Sequence, residues 1–166
     1  VEVAPSEYVD LLQEPPMPPP GMAMPTIVDE NGWFASLDDD VIDALIAAAD
    51  AAGARMFLVR WLGGAFGDVD PDATAIAFRN AEAFVVTAAF VMPGSPDSEA
   101  DRVKKALSPF VEHSLGAYGN FTNSVAPGLA RRIYPPETLA RLRSLKSRWD
   151  PDNIFSRNHN LAAAVS

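Results

Sequence analysis

A chain of 166 residues with 48% hydrophobic positions can bury one sizeable core, which excludes disorder over most of its length. Thirteen lysines and arginines against twenty-two aspartates and glutamates leave a net charge of −9, and nothing in that balance provides a nucleic-acid footprint. Cysteine is absent, which removes disulfides, thiolate nucleophiles and cysteine-rich zinc sites; with only two histidines, no metal site is expected. No run approaches the roughly 20 apolar residues of a membrane span, and the start lacks the basic-then-apolar pattern of a signal peptide. A soluble, cytoplasmic protein is therefore the default expectation.

Residues 1–32 read as a proline-rich N-terminal segment. Pro15, Pro16, Pro18, Pro19 and Pro20 favour extended backbone and stop any regular ladder. An α+β domain is expected over 33–134. Ser36 to Asp39 supply a cap and first-turn carboxylates, after which Leu37, Val41, Ile42, Leu45, Ile46 and Ala49 trace one helical face as far as Gly53. Met56 to Leu62 has strand length and composition and stops at Gly63-Gly64. A second strand is predicted over 73–79 and a third over 83–91, the latter apolar enough to be covered on both faces. Pro93 to Pro96 form a turn. Ser98 to Tyr118 predicts a long helix that Pro109 kinks or splits, and Phe121 to Val125 a short strand. The fold class expected is α+β, a mostly antiparallel sheet covered on one face by helices, followed by a C-terminal helix and an extended tail.

That last part, 135–166, is the most informative. Pro135-Pro136-Glu137 opens a helix whose Leu139, Leu142, Leu145 and Trp149 share a stripe, while Arg141, Arg143, Lys146 and Arg148 take the other faces. The basic residues from Arg131 to Arg148 read as a solvated helix face. Pro151 ends the helix at Asp150, and Asp150, Asp152 and Asn153 suit a turn in which Ile154 and Phe155 are expected to be buried anchors.

Arg141-Leu142, Lys146, Trp149-Asp150-Pro151-Asp152-Asn153-Ile154-Phe155 and Asn158-His159-Asn160-Leu161 match, in order and spacing, the C-terminal signature of the berberine-bridge-enzyme-like flavoproteins, within the vanillyl-alcohol-oxidase group of FAD-linked oxidoreductases. Tryptophan stands where tyrosine is usual, His159 for glutamine, and Leu161 for isoleucine. Arg60 to Ala65 and Ala73 to Arg79 are similar to a strand pair of bacterial members, with Phe78 in place of a histidine. Tyr118-Gly119-Asn120-Phe121 resembles the family's Tyr-x-Asn-aromatic motif.

The resemblance implies the substrate-binding C-terminal part of an FAD-dependent oxidoreductase that oxidises an alcohol or related CH–OH or CH–N group by hydride transfer. FAD would be held mainly by a domain that this chain does not contain, in cis or as a separate chain. It implies Tyr118 as the catalytic phenol and Asn120, Asn158 and Asn160 as cofactor-binding amides. The alternatives for these residues are a core tyrosine with its hydroxyl at the rim and turn-forming asparagines on an exposed tail. Arg60 and Arg79 are read first as strand-edge arginines, His113 as a packed or surface histidine, and His159 as solvent-facing. Gly63-Gly64 is followed by Asp68 and Asp70, the wrong charge for a phosphate loop, so the chain alone is expected neither to hold FAD tightly nor to oxidise anything. Self-association or docking to a flavin domain is expected from an uncovered apolar surface. The second reading is a stand-alone, non-catalytic binding or regulatory module.

Overall fold

The computed structural model describes residues 7, 9, 19–76, 78–126 and 128–161. Three strands form one antiparallel sheet in the order β1-β3-β2: β1 is Thr26–Phe34, β2 Met56–Trp61 and β3 Ala83–Val91. β3 takes the centre because its apolar run satisfies both faces, and it is buried from Ala83 to Ala89. Trp33 pairs with Phe84 on one side, and Val59 with Val85 on the other.

Helices cover one face. Helix α1 (Asp39–Ala52) starts where the Asp38 carboxylate accepts from the Val41 amide and ends at Gly53, left-handed at φ 65°. Helices α2 (Ser98–Ala106) and α3 (Ser108–Glu112) follow β3. Leu45, Ala48 and Ala52 of α1, Val103 of α2, Leu107 between the two helices and Phe110 of α3 meet Phe34, Val85 and Ala89 of the sheet. Phe34 and Phe110 have no exposed surface, and burying each side chain contributes about 1.5 to 3 kcal/mol. The opposite face holds Trp33, Ala81, Phe84 and Val86 and is packed by loop aromatics rather than by helices. Two further helices follow, the short α4 (Leu129–Ile133) and the 14-residue α5 (Pro136–Trp149). Among the described residues the architecture is thus α+β.

Several expectations need correction. β1 was not anticipated; its Asp29-Glu30-Asn31-Gly32 interrupts any apolar alternation. The helix from Ser98 does not reach Tyr118, since the chain breaks at Leu107, restarts with Pro109 in the first turn and stops at Glu112. Residues 73–76, 78 and 79 are bends, turn and coil rather than strand, with Ala77 outside the described residues. The Arg79 guanidinium folds that loop by donating to the Ile76 carbonyl and the Thr74 hydroxyl. Phe121 to Val125 is no strand either: a 3-10 turn at Gly119–Phe121 precedes irregular backbone. The prolines at 15, 16 and 18 lie outside the described residues.

The final hook was expected to be anchored by apolar burial, and it is not. Ile154 and Phe155 are 76% and 81% exposed, and Trp149 is 73% exposed. Polar bonds hold the turn instead. The Asp150 carboxylate accepts from the amides of Ile154 (2.7 Å) and Phe155 (3.1 Å) and from Lys146 Nζ, which also donates to the Phe155 carbonyl at 2.7 Å. The bond from Lys146 holds the Asp150 carboxyl below the ordinary carboxylate range; desolvation opposes this and the two amides reinforce it.

A depressed folded-state pKa means that the hook's contribution is complete above the ordinary carboxylate range and disappears as pH falls through the folded-state value. The amide proton shifts of Ile154 and Phe155 are therefore expected to titrate together below about pH 4. Asp150→Ala should abolish those shifts at neutral pH, whereas Phe155→Ala should change stability by no more than about 0.5 kcal/mol. Unaltered 154 and 155 amides in Asp150→Ala would show that the carboxylate does not hold the turn.

Candidate functional site

The site grows from the helix-free face of the sheet. Trp33 on β1 lies against Phe84 on β3 at 4.7 Å between ring centroids, with Tyr118 at 5.5 Å, Phe66 at 5.7 Å and Phe78 at 6.5 Å. Offset and tilted arrangements at these distances favour aromatic contact. Arg79 sits over Phe66 and Arg60 over Phe121, so both guanidinium groups cap aromatic rings.

Asn31, fully buried on β1, fixes the loop that carries the chemistry. Its Oδ1 accepts from the Tyr118 amide at 2.7 Å and its Nδ2 donates to the Phe121 carbonyl at 2.9 Å, so one amide ties both ends of the 3-10 turn to the sheet. Behind it, Arg132 on α4 donates to the Glu30 carboxylate at 3.0 Å and to the Asn31 carbonyl at 3.3 Å. Arg132 is thus a half-buried strap, a correction to its reading as part of a solvated basic face.

Two cavities open around this turn. One, of about 240 Å³, is walled by Trp33, Ile76, Phe78, Tyr118, Asn120, Ile133, Tyr134 and His159. The other, of about 410 Å³, is polar, with Asn120, Thr122, Asn123, Ser124, Asn158 and His159 around it. Gly119, Asn120 and His159 border both. Of the residues expected from the sequence, Tyr118 and Asn120 come together: Asn120 Nδ2 donates to the Tyr118 hydroxyl oxygen at 3.0 Å. Asn158 lines the polar cavity. Asn160 is half-buried at the next bend, where its backbone N–H donates to the Asn158 carbonyl at 2.8 Å.

His159, expected to face solvent, is half-buried with Nε2 2.8 Å from the Gly119 carbonyl; folding of the tail back onto the turn, a long-range event, places it there. Tyr134 was missed. Burial pushes its phenol above the ordinary tyrosine value, and the neighbouring Tyr118 adds to the shift. Tyr134 thus faces the apolar cavity as a phenol that burial favours in its protonated form. Among the described residues no group of three histidines or carboxylates could hold a metal ion, and no helix is long and apolar enough to cross a membrane.

Residues 117–162, which supply the turn, Tyr134, α5, the hook and His159, match the family "Berberine and berberine like". The chain is 26% identical over 157 residues to an uncharacterized FAD-linked oxidoreductase, YvdP, of Bacillus subtilis (strain 168), covering 90% of this chain and 34% of that protein. Its fold is similar to that of a chitooligosaccharide oxidase (TM-score 0.67, 17% identity, 83% of this chain and 33% of the other). It is also similar to a glycopeptide hexose oxidase solved with teicoplanin (TM-score 0.66, 24% identity, 87% and 34%). Fold and matched segment are thus both similar to those of FAD-linked oxidoreductases. Within that class the likeness is to the berberine-like group over residues 117–162, and the chain spans about a third of the length of the relatives it matches.

Proposed function

We propose that this chain is the substrate-side wall of a flavin-dependent oxidase acting on a saccharide hydroxyl, with FAD held mainly by another domain, in cis. The observation that carries the reading is the Tyr118–Asn120 pair at the rim of an aromatic cavity, inside the segment that matches the berberine-like family. Two of the similar structures are oxidases of sugar-bearing substrates by name, and an aromatic wall beside a cradle of amides and hydroxyls suits a ring with one apolar face and many hydroxyls.

The residues fit one end of a flavin and not the other. Asn120 and Asn158 offer paired donors and acceptors suited to the edge of the ring system. The glycine pair at 63 and 64 does not suit the diphosphate: the turn after Gly63 is three residues long, and Asp68 and Asp70 follow it. When bound, the flavin would supply the acceptor for the substrate hydride. This chain's task is to orient the substrate and handle the proton. The Tyr118 oxygen accepts from Asn120, which fixes the phenol at the cavity rim, where it can bond a substrate hydroxyl and relay its proton. Tyr134, held protonated, serves as a donor on the same cavity. The uncovered apolar side chains of the hook and of β2, where Trp61 is 64% exposed, fit a chain that packs against further protein.

The test is made in the complete flavoprotein by single-turnover reduction with an oligosaccharide. Tyr118→Phe is expected to slow flavin reduction by about 10²- to 10⁴-fold, the usual range for a lost general base, with little change in cofactor content. Reduction at the parental rate removes Tyr118 from the chemistry. Failure of every saccharide to reduce the parent flavin removes the substrate class.

A further inference from the structure

We propose that His159 is the positioning residue of this site, a latch by which the C-terminal tail holds the turn carrying Tyr118 and Asn120. The inference rests on reading the two cavities as a binding site, and the latch itself is measurable with no ligand present.

The backbone delivers the ring. Asn158 sits at φ 56°, a left-handed conformation that asparagine tolerates better than other non-glycine residues, and the Asn160 N–H closes back on the Asn158 carbonyl at 2.8 Å. The two asparagines thus bend the tail around His159. The imidazole then lies where the turn has no side chain. A Cβ on Gly119 would stand 2.9 Å from Cδ2 and 3.1 Å from Nε2 of His159, and 3.1 Å from Cδ1 of Ile133, closer than packed atoms settle. Glycine at 119 is what lets the ring seat.

Polarity fixes the ring's state. The Gly119 carbonyl only accepts, so at 2.8 Å the proton is on Nε2 of His159, and a neutral ring carries its acceptor at Nδ1. Asn31 grips the same turn from the sheet, so the turn is held from two sides by groups 128 positions apart in sequence (159 minus 31). Because His159 and Gly119 border both cavities, withdrawal of the ring removes the shared wall between the aromatic cavity and the amide cradle.

The test uses the 166-residue chain and three variants. Nitrogen-15 spectra of the imidazoles are expected to show His159 in the Nε2–H form, with that proton slowed in exchange by the Gly119 carbonyl. His159→Leu keeps bulk and loses the donor, His159→Gln keeps a donor, and Gly119→Ala evicts the ring. Hydrogen exchange of the bonded Tyr118 and Phe121 amides should quicken about tenfold or more in His159→Leu and Gly119→Ala, and stay within about threefold of the parent in His159→Gln. A His159 ring found in the Nδ1–H form, unchanged exchange in His159→Leu, or no rescue by glutamine overturns the latch. Where Gly119→Ala does not fold, the His159 pair decides alone. None of these readouts depends on flavin or saccharide, so the latch and the redox reading fail separately.

Discussion

Asn31→Ala is expected to loosen the candidate site and destabilise the chain together, by about 1 to 3 kcal/mol for each buried group left without its partner. Two such groups are at stake, the Tyr118 amide and the Phe121 carbonyl, both bonded only through that side chain in the described contacts of the turn with β1. For a chain of this length each kcal/mol corresponds to roughly 2 to 4 °C in Tm, so the two groups together should lower it by about 4 to 24 °C on thermal unfolding. Asn31→Asp is a sharper probe. It retains the oxygen that accepts from Tyr118 but cannot donate to Phe121, and it puts a charge where exposure is nil. It should cost at least as much as alanine. A Tm within a degree of the parent for both variants would mean that the turn is held elsewhere.

The same residue shows what the sequence could not reveal. β3, α1 and α5 are legible because each carries its own signal: a continuous apolar run, a capped amphipathic stripe with a glycine stop, and a proline start closed by Asp150-Pro151. β1 has no such signal, since the partners that make Asn31 and Glu30 acceptable in a strand lie at 118, 121 and 132. Residues 73–79 have strand composition, yet side-chain bonds from Thr74 and Arg79 bend them back on themselves. The burial expected of Phe155 assumed that an apolar residue after an Asp-Pro turn must anchor it. Here Asp150 and Lys146 hold the hook by polar bonds, and the apolar side chains face outward. Around the two cavities, Tyr118, Asn120 and Asn158 lie in short motifs visible in the sequence, whereas Trp33, Tyr134 and His159 meet only when the tail, α4 and the sheet are brought together.

Gly116→Ala is expected to be the most damaging glycine-to-alanine change among the described residues. Gly116 pairs with Trp33 across an isolated bridge, its carbonyl accepting from the Trp33 amide at 3.0 Å while the Leu115 amide donates to the Trp33 carbonyl at 2.7 Å. A Cβ there would run into the Phe78 ring and the Arg132 carbonyl, both well inside contact distance. The ring could rotate away; the carbonyl could not, because it accepts from the Ala117 amide at 3.0 Å and belongs to the helix whose Arg132 side chain braces Glu30 and Asn31. Overpacking ordinarily costs about 1 to 3 kcal/mol, and a clash with fixed backbone belongs at or above the top of that range. Relief by sliding residues 115–118 away from β1 would carry Tyr118 off the Asn31 carboxamide, so the cavity should change with the stability. Thermal unfolding and the Trp33 indole shift report the two effects separately. Gly116→Ala with an unchanged Tm would show that the segment has room the packing denies, and with a lower Tm but an unmoved Trp33 signal it would uncouple the bridge from the aromatic cavity.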